Sequence, residues 1–377
     1  MAESNSTNSE DKSKVPSVMR AAQQTGFGNV REVLKLSDDV HVPYELEPKQ
    51  VLVQVYAASI NPIDWKTLNG NLSLITRFSF PHIPGKDVAG IVVATGLHAE
   101  RFCIGDGVYG NLGMSDGSYA EYVRVDESLL SKKPNNITME EAAAIPLACG
   151  TSYQALFNKV SPPLGRQSKI LILGGSTATG LYALQLAKAT GAFVTVTSSQ
   201  RNFNLLESLG FSLVHGKPNP DADEKQLHVI DYNEKDFGRE LKGEDYDVVY
   251  DCVGGRQQWV SAKQVLKRNG QFITIVGDDP KTVLSLKSII SFSSKLIGRK
   301  FLSFFGCSHY NYVFHTHEPK SSDLDEIRTK YIETKKVRPL IDTIFDWKKD
   351  GIEALYSLYE KSKSGKAQGK LVLRIAD

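Results

Sequence analysis

Clustered cysteines are missing from this chain. Its four, Cys103, Cys149, Cys252 and Cys307, lie far apart and form no CxxC pair. That excludes a disulfide framework and a four-cysteine zinc lobe, and leaves reduced thiols of a cytosolic protein. An excess of one charge is missing too. The 45 Lys and Arg residues stand against 43 Asp and Glu, so no global pull draws the chain to nucleic acid or to an anionic membrane. No stretch approaches the ~18 continuous apolar residues of a transmembrane helix. Residues 1–17 have no apolar region of the secretory kind, and Glu3, Glu10 and Asp11 do not suit an acid-poor mitochondrial presequence. This segment is too polar to order itself by burial, and it reads as a disordered tail on a cytoplasmic protein. No internal repeat is apparent.

What is present is enough chain, 377 residues with 41% hydrophobic, for two domains with sizeable cores. From Ser17 to Ala148 the pattern is mostly strand: Val51 to Ala57, Val88 to Val93 and Gly117 to Val125, punctuated by glycine and proline. Short strands with turn signals suggest a partly open barrel. Thr138 and Glu141 stand at capping-box spacing and open a helix. Beyond Thr151 strands and helices alternate. Lys169–Leu173, Phe193–Thr197, Tyr246–Asp251 and Gln271–Val276 are apolar runs, with helices over 181–190 and 202–209. That alternation indicates an α/β fold with a doubly wound parallel sheet. A last helix, 351–361, and a closing strand, 370–375, end the chain.

The strongest local signal follows the first of those runs: Gly174-Gly175-Ser176-Thr177-Ala178-Thr179-Gly180. Strand, tight glycine turn and helix start form the cradle of a dinucleotide pyrophosphate, which the helix N-terminus attracts. The pattern departs from GxGxxG, with Thr177 and Ala178 where the middle glycine is expected. An NAD site has an acidic residue ~20 positions past the glycines, on the ribose hydroxyls. Here that stretch reads Thr197-Ser198-Ser199-Gln200-Arg201, without a carboxylate. Two hydroxyls and a guanidinium suit a 2′-phosphate, so the expected cofactor is NADPH. The alternative for Arg201 is a surface arginine beside a helix-capping serine.

Several stretches, in this order and spacing, resemble one family. They are Asn61-Pro62-Ile63-Asp64, Pro84-Gly85-Lys86-Asp87-Val88-Ala89-Gly90, Ala142-Ala143-Ala144-Ile145-Pro146, Asp247 to Gly255 and Gly369-Lys370-Leu371-Val372-Leu373. Together they look like the medium-chain dehydrogenase/reductase superfamily, in its zinc-free, quinone-oxidoreductase-like branch. The resemblance covers nearly the whole chain beyond the tail. It implies a Rossmann domain over 153–318 and a GroES-like, partly open β-barrel catalytic domain over 18–152, completed by 319–377. It also implies a homodimer. Where zinc enzymes of that superfamily carry a ligand cysteine and histidine, this chain has Asn61 and Lys86. An amide and an ammonium are poor zinc ligands.

Without a Lewis acid, conjugated acceptors are the natural substrates, because a quinone or enone spreads negative charge through its π-system. By resemblance Asn61 sits beside the nicotinamide and donates to a substrate carbonyl; the alternative is an asparagine capping the turn before Pro62. Lys66 stands where some relatives carry an active-site tyrosine, as a proton donor or as a solvated surface lysine. Tyr232 matches a family tyrosine near the adenosine phosphate. Cys252 and Val276 fall at cofactor-lining positions. His309-Tyr310 match a cofactor-contacting pair of the reticulon-interacting reductases, within an aromatic segment that includes Phe301, Phe304 and Phe305. Lys370, by family position, approaches the cofactor. His309, His315 and His317 invite a metal reading that no acid or cysteine at suggestive spacing supports. The segment from His215 to Leu227, with Pro218 and Pro220, is expected as an exposed loop. One reading of another class stays open: a nucleotide-regulated interaction protein that keeps the NADPH fold with little or no turnover.

Overall fold

A computed structural model describes residues 15–73, 79–113, 115, 117–216, 219, 223–278 and 309–376. The expected tail falls largely outside the described residues. So do Phe301, Phe304, Phe305, Cys307 and, within the 215–227 segment, Pro218 and Pro220.

Ile170, Leu171, Ile172 and Leu173 are apolar on successive residues, so their strand has two faces to bury. Both are buried. This strand, Lys169–Leu173, lies mid-sheet among seven parallel strands of the described residues. The order across the sheet is Ser212–Val214, Gln226–Asp231, Phe193–Ser198, Lys169–Leu173, Tyr246–Asp251, Leu266–Thr274 and Asn311–Phe314. The chain fills one flank first and then crosses to the other. The reversal therefore falls between the carboxyl ends of Lys169–Leu173 and Tyr246–Asp251, where a crevice opens in such sheets. This is the Rossmann-type part of the fold.

A second sheet is mostly antiparallel. Its order is Ile341–Asp346, Lys370–Arg374, Gln50–Ser59, Asp87–Thr95, Gly107–Asn111 and Leu130–Lys132, with Tyr122–Asp126 also on Gln50–Ser59. Gln50–Ser59 is its spine. Asp87–Thr95 runs along its whole length, Tyr122–Asp126 takes its first half, and the C-terminal strand takes Ala57, Ala58 and Ser59. Gly90 allows the close crossing: a Cβ there would stand 2.0 Å from the Gln54 carbonyl oxygen. This sheet is the GroES-like part, and the last strand of the chain is built into it. Trp347 anchors that end. It is wholly buried, and its Nε1–H donates to the Ile375 carbonyl at 2.9 Å.

Local chemistry sets the element ends. Thr138 and Glu141 form the reciprocal cap, with Glu141 N–H on Thr138 Oγ1 at 3.2 Å and Thr138 N–H on Glu141 Oε2 at 2.8 Å. The strand expected over 117–125 starts only at Tyr122. Before it, Gly117 adopts φ +132°, and the N–H groups of Gly117 and Ser118 turn to the Gly85 carbonyl. Leu266–Thr274 stops two residues short of Val276, because Thr274 Oγ1 accepts from the Val276 and Gly277 N–H groups and turns the chain. The helix expected from Asn202 begins at Phe203, after one tight turn over Gln200–Asn202.

Trp347→Ala removes a filled core volume and a buried donor together. It should cost about 3–5 kcal/mol, read as a lowered urea midpoint with an unchanged slope.

Candidate active site

The glycine turn is built by close approach. Gly174 has φ +78°, and a Cβ on it would stand 2.7 Å from Val253. Its N–H donates to Thr197 Oγ1 at 3.0 Å, and the Gly175 N–H donates to the Thr197 carbonyl at 2.9 Å. The first strand is thereby stitched to the second. Thr177, where the middle glycine was expected, caps the helix Ala178–Ala189. Its hydroxyl accepts from the Gly180 N–H at 3.0 Å and donates to the Gly174 carbonyl at 2.8 Å. A Cβ on Gly180 would stand 2.1 Å from that carbonyl oxygen, so only glycine lets the helix start this close to the turn. Thr177 thus supplies a cap where a glycine would supply room. The Ala178 and Thr179 amides head the helix, the arrangement that suits a pyrophosphate.

Ser198, Ser199, Arg201 and Tyr232 come together at the end of the second strand. The Tyr232 N–H reaches the Ser198 carbonyl at 3.4 Å, and the Tyr232 ring is half exposed. Arg201 is exposed, and its guanidinium enters no ion pair among the described residues. Two residues join this cluster that the sequence did not reveal. Asn202 is buried, and its Nδ2 donates to Ser176 Oγ at 2.8 Å and to Ser199 Oγ at 3.2 Å. Gln368, just before the C-terminal strand, donates from Nε2 to Asn202 Oδ1 at 2.8 Å and to the Arg201 carbonyl at 3.1 Å. The two sheets are linked there. A carboxylate also arrives from the next strand: Asp231 accepts from the Gln200 N–H at 3.1 Å and the Asn233 N–H at 2.9 Å. Beside it a cavity of about 240 Å³ is lined by Gln200, Phe203, His215 and Glu234.

Across the crevice, Cys252 lies beside Gly174 and Val276 lies beside Gly254. Val276 packs where a Cβ of Gly254 would lie, 2.5 Å away. Burial pushes the Cys252 thiol up, so it stays protonated. Asp251 holds this loop, accepting from the Val253 and Gly254 N–H groups and from Thr274 Oγ1. His309 and Tyr310 are not brought here. They precede the Asn311–Phe314 strand, at the amino end of a parallel sheet whose glycine turn is at the carboxyl end. The His309 carbonyl accepts from the Asn269 N–H at 2.7 Å, and Tyr310 packs edge-on against Trp259. The expectation that this pair contacts the cofactor is therefore corrected by strand direction. His315 and His317 lie at the carboxyl end instead.

The second constellation is polar and buried in the barrel sheet. Asn61 occupies the backbone position just before the helix Pro62–Leu68, and Asp64 Oδ2 accepts its N–H at 2.7 Å. It forms a reciprocal capping box with Asp64, its side chain accepting from the Asp64 N–H, and it also reaches beyond the helix. Nδ2 donates to Asp87 Oδ2 at 2.7 Å, and Oδ1 accepts from Lys370 Nζ at 2.7 Å. Lys370 Nζ also meets the Ile60 carbonyl at 3.0 Å and Asp87 Oδ2 at 3.5 Å. Its three donors are thus met by protein acceptors, and the structure places Lys370 with Asn61 rather than at the glycine turn. Burial lowers the pKa of this lysine, opposed by Asp87 and Asp64. Asp87 further accepts from Ser59 Oγ at 3.0 Å, Asn111 Nδ2 at 2.7 Å and the Leu147 N–H at 3.1 Å. Asp87, the hub, was not singled out from the sequence. The available signal was a lone acid opening the apolar strand Asp87–Thr95.

Lys66 sits half-buried on the Pro62–Leu68 helix, its Nζ 5.6 Å from the Trp65 ring centroid, and burial lowers its pKa. Lys86 Nζ donates to the Gly113 carbonyl at 2.6 Å. With an ammonium so engaged and an amide tied to Asp87 and Lys370, this donor set does not fit a zinc ion. Among the described residues no group of three His, Cys, Asp or Glu could hold a metal. His317 lies over Gly150, where a Cβ would stand 2.6 Å from its Nε2.

Comparison with known proteins agrees with this architecture. Residues 47–135 match the alcohol dehydrogenase GroES-like domain, and residues 226–373 match the zinc-binding dehydrogenase family. A 2-methylene-furan-3-one reductase of Solanum lycopersicum is 32% identical, over 95% of this chain and 80% of its own. The chloroplastic NADPH-dependent alkenal/one oxidoreductase of Arabidopsis thaliana is 34% identical, over 70% of this chain and 64% of its own. The solved quinone oxidoreductase from Coxiella burnetii is 28% identical and superposes with a TM-score of 0.73, covering 95% of this chain and 99% of that one. The fold and the paired sites define a nicotinamide-type oxidoreductase architecture. The chain belongs to the medium-chain dehydrogenase/reductase superfamily, in its quinone-oxidoreductase-like branch.

His315 gives a pH signature to this region. It is buried, its Nε2 has no partner among the described residues, and desolvation, helped by Lys159 and His317, pushes its pKa down from 6.5 to about 4. Between those values the unfolded chain binds more protons, so stability rises with pH there. The contribution is full above 6.5 and is lost as pH falls toward about 4. His315→Gln should flatten the dependence of the urea midpoint on pH in that window; an unchanged slope would contradict the assignment.

Proposed function

We propose that this protein is an NADPH-dependent, zinc-independent oxidoreductase that reduces quinones or α,β-unsaturated carbonyls by hydride transfer. The observation that carries the reading is the Asn61 amide, held buried as an oriented hydrogen-bond donor at the position where zinc relatives carry a ligand. A donor of that kind suits an acceptor whose charge spreads through a π-system and does not need a Lewis acid. Relatives support the substrate class and the cofactor: one is an alkenal/one oxidoreductase described as NADPH-dependent, another a quinone oxidoreductase.

Bound NADPH supplies the hydride. The chain's own residues do the rest. The turn from Gly174 to Gly180 holds the pyrophosphate on the Ala178 and Thr179 amides. Ser198, Ser199, Arg201 and Tyr232 receive the adenosine 2′-phosphate, on a surface that Asn202 and Gln368 brace from beneath. Asn61 Nδ2 donates to the substrate oxygen, and Lys66 or water returns the proton. The half-buried ammonium of Lys66, with its pKa lowered, gives up a proton more readily than an exposed lysine.

The unit that covers substrate is residues 18–152 completed by 319–377, around a cofactor unit of 153–318. Pairing of the C-terminal strand with Gln50–Ser59 supports that division. We place the protein in the cytoplasm as a homodimer, which fractionation and sedimentation would test. No helix among the described residues is long and apolar enough to cross a membrane.

Steady-state assays with NADPH and a panel of quinones and enones test the activity. Tight NADPH binding with negligible turnover across the panel would favour the regulatory reading. Arg201→Ala should weaken NADPH by about 10- to 100-fold, the worth of one charged hydrogen bond, and leave NADH nearly unchanged. Calorimetry with both coenzymes reads the difference, and equal losses would reject the phosphate role.

A further inference from the structure

The buried network around Asn61 does more than satisfy its members. An amide has an acceptor end and a donor end, and in a symmetric setting either orientation is open. Here the setting is polarised. The Lys370 ammonium has only hydrogens to offer and stands 2.7 Å from Asn61 Oδ1. The Asp87 carboxylate has only acceptors and stands 2.7 Å from Nδ2. A flipped amide would point its hydrogens at a cation and its oxygen at an anion. All three side chains are nearly inaccessible, so no water takes the place of either partner: Asn61 is 3% exposed, Lys370 2% and Asp87 0%.

From this we infer that Lys370 and Asp87 are positioning residues, which lock the Asn61 amide so that its second Nδ2–H is the donor presented to the substrate oxygen. The inference rests on the functional reading above for what the donor serves; the lock itself is independent of it. Asp87 consumes one of the two Nδ2 hydrogens. Among the described residues no acceptor takes the other. Lys370 also withdraws electron density from Oδ1, which strengthens the remaining N–H as a donor through the polarised amide. A distant part of the chain is thereby assigned to the chemistry. Lys370 lies 309 positions from Asn61, and it reaches the site because the last strand pairs beside Ser59.

The test uses the full-length protein and two variants, K370M and the double variant K370M/D87N. K370M alone leaves a buried carboxylate without its counter-charge, so a loss of stability is expected. The double variant removes both charges and should recover thermal stability, while leaving the Asn61 amide without the cation at its oxygen or the anion at its nitrogen, held only by the capping N–H of Asp64. If the pair acts by positioning, kcat for a quinone stays about a hundredfold down in the double variant, while the NADPH dissociation constant remains within about twofold of the parent. Recovery of kcat together with stability would reduce the pair to a structural role and overturn the inference. So would a large loss of NADPH affinity at constant kcat, which would make Lys370 a cofactor contact. A second readout does not need turnover. Asparagine-labelled protein, with the Asn61 signal assigned by its loss in N61D, should show two inequivalent side-chain amide protons protected from exchange. In the double variant the protection should vanish. An unprotected Asn61 amide in the parent would defeat the lock whatever the assays show. Absence of turnover in the parent, with the amide protected, would sink the proposed activity and leave the lock standing.

Discussion

A carboxylate without water is the constraint around which the barrel half is organised. Asp87 is fully buried, and an ionised carboxylate in that position is tolerable only if donors and a counter-charge surround it. The donors come from four separate stretches, through Ser59 and Asn61, Asn111, Leu147 and Lys370. None of these is near Asp87 in sequence. Folding must bring the spine strand, the Gly107–Asn111 strand, the start of the Pro146–Tyr153 helix and the last strand of the chain to one point. The same requirement that stabilises the charge fixes the Asn61 amide, which touches Asp87 and Lys370 at once.

This explains why the chain crosses from one sheet to the other and back. Lys370–Arg374 is inserted between Ile341–Asp346 and Gln50–Ser59, so the site is incomplete until the final residues dock. The residue two before it, Gln368, reaches in the other direction, to Asn202 and the Arg201 carbonyl beside the glycine turn. Three successive residues of the chain thus touch Arg201 and Asn202, pass through a glycine at φ +120° and reach the Asn61 amide. A Cβ on that glycine, Gly369, would stand 2.6 Å from the Leu340 carbonyl oxygen. The Gly-Lys ending is short because the two jobs are adjacent in space.

The sequence revealed the architecture because its strongest signals are periodic and local. Buried strands such as Ile170–Leu173, the glycine turn and the Thr138/Glu141 cap each depend on neighbours within a few residues. Asn61 and Tyr232 stood out at family positions, and Ser198, Ser199 and Arg201 in an acid-free stretch past the glycines; the structure gathers the last three with Tyr232 into one cluster. What stayed hidden depends on long-range geometry. Asp87 looked like the polar start of a strand. Asn202 and Gln368 carry no motif, since their roles exist only across the join between sheets. His309-Tyr310 failed for a different reason. Matching residue types said nothing about which end of a four-residue parallel strand they would precede.

Charge at the carboxyl end of the second strand depends on more than the residues that follow it in sequence. The stretch after the second strand has no acid, yet Asp231 arrives from the neighbouring strand and stands against Gln200. A carboxylate so near would repel a 2′-phosphate if its charge were directed outward. Each of its oxygens instead receives a backbone N–H, from Gln200 and from Asn233. Those bonds spend its charge on shaping the two turns that carry Arg201 and Tyr232. The guanidinium of Arg201, by contrast, has no acid bound to it among the described residues and is directed to solvent. The balance of field at this corner is therefore set by which charge is already engaged, and the engaged one is the acid.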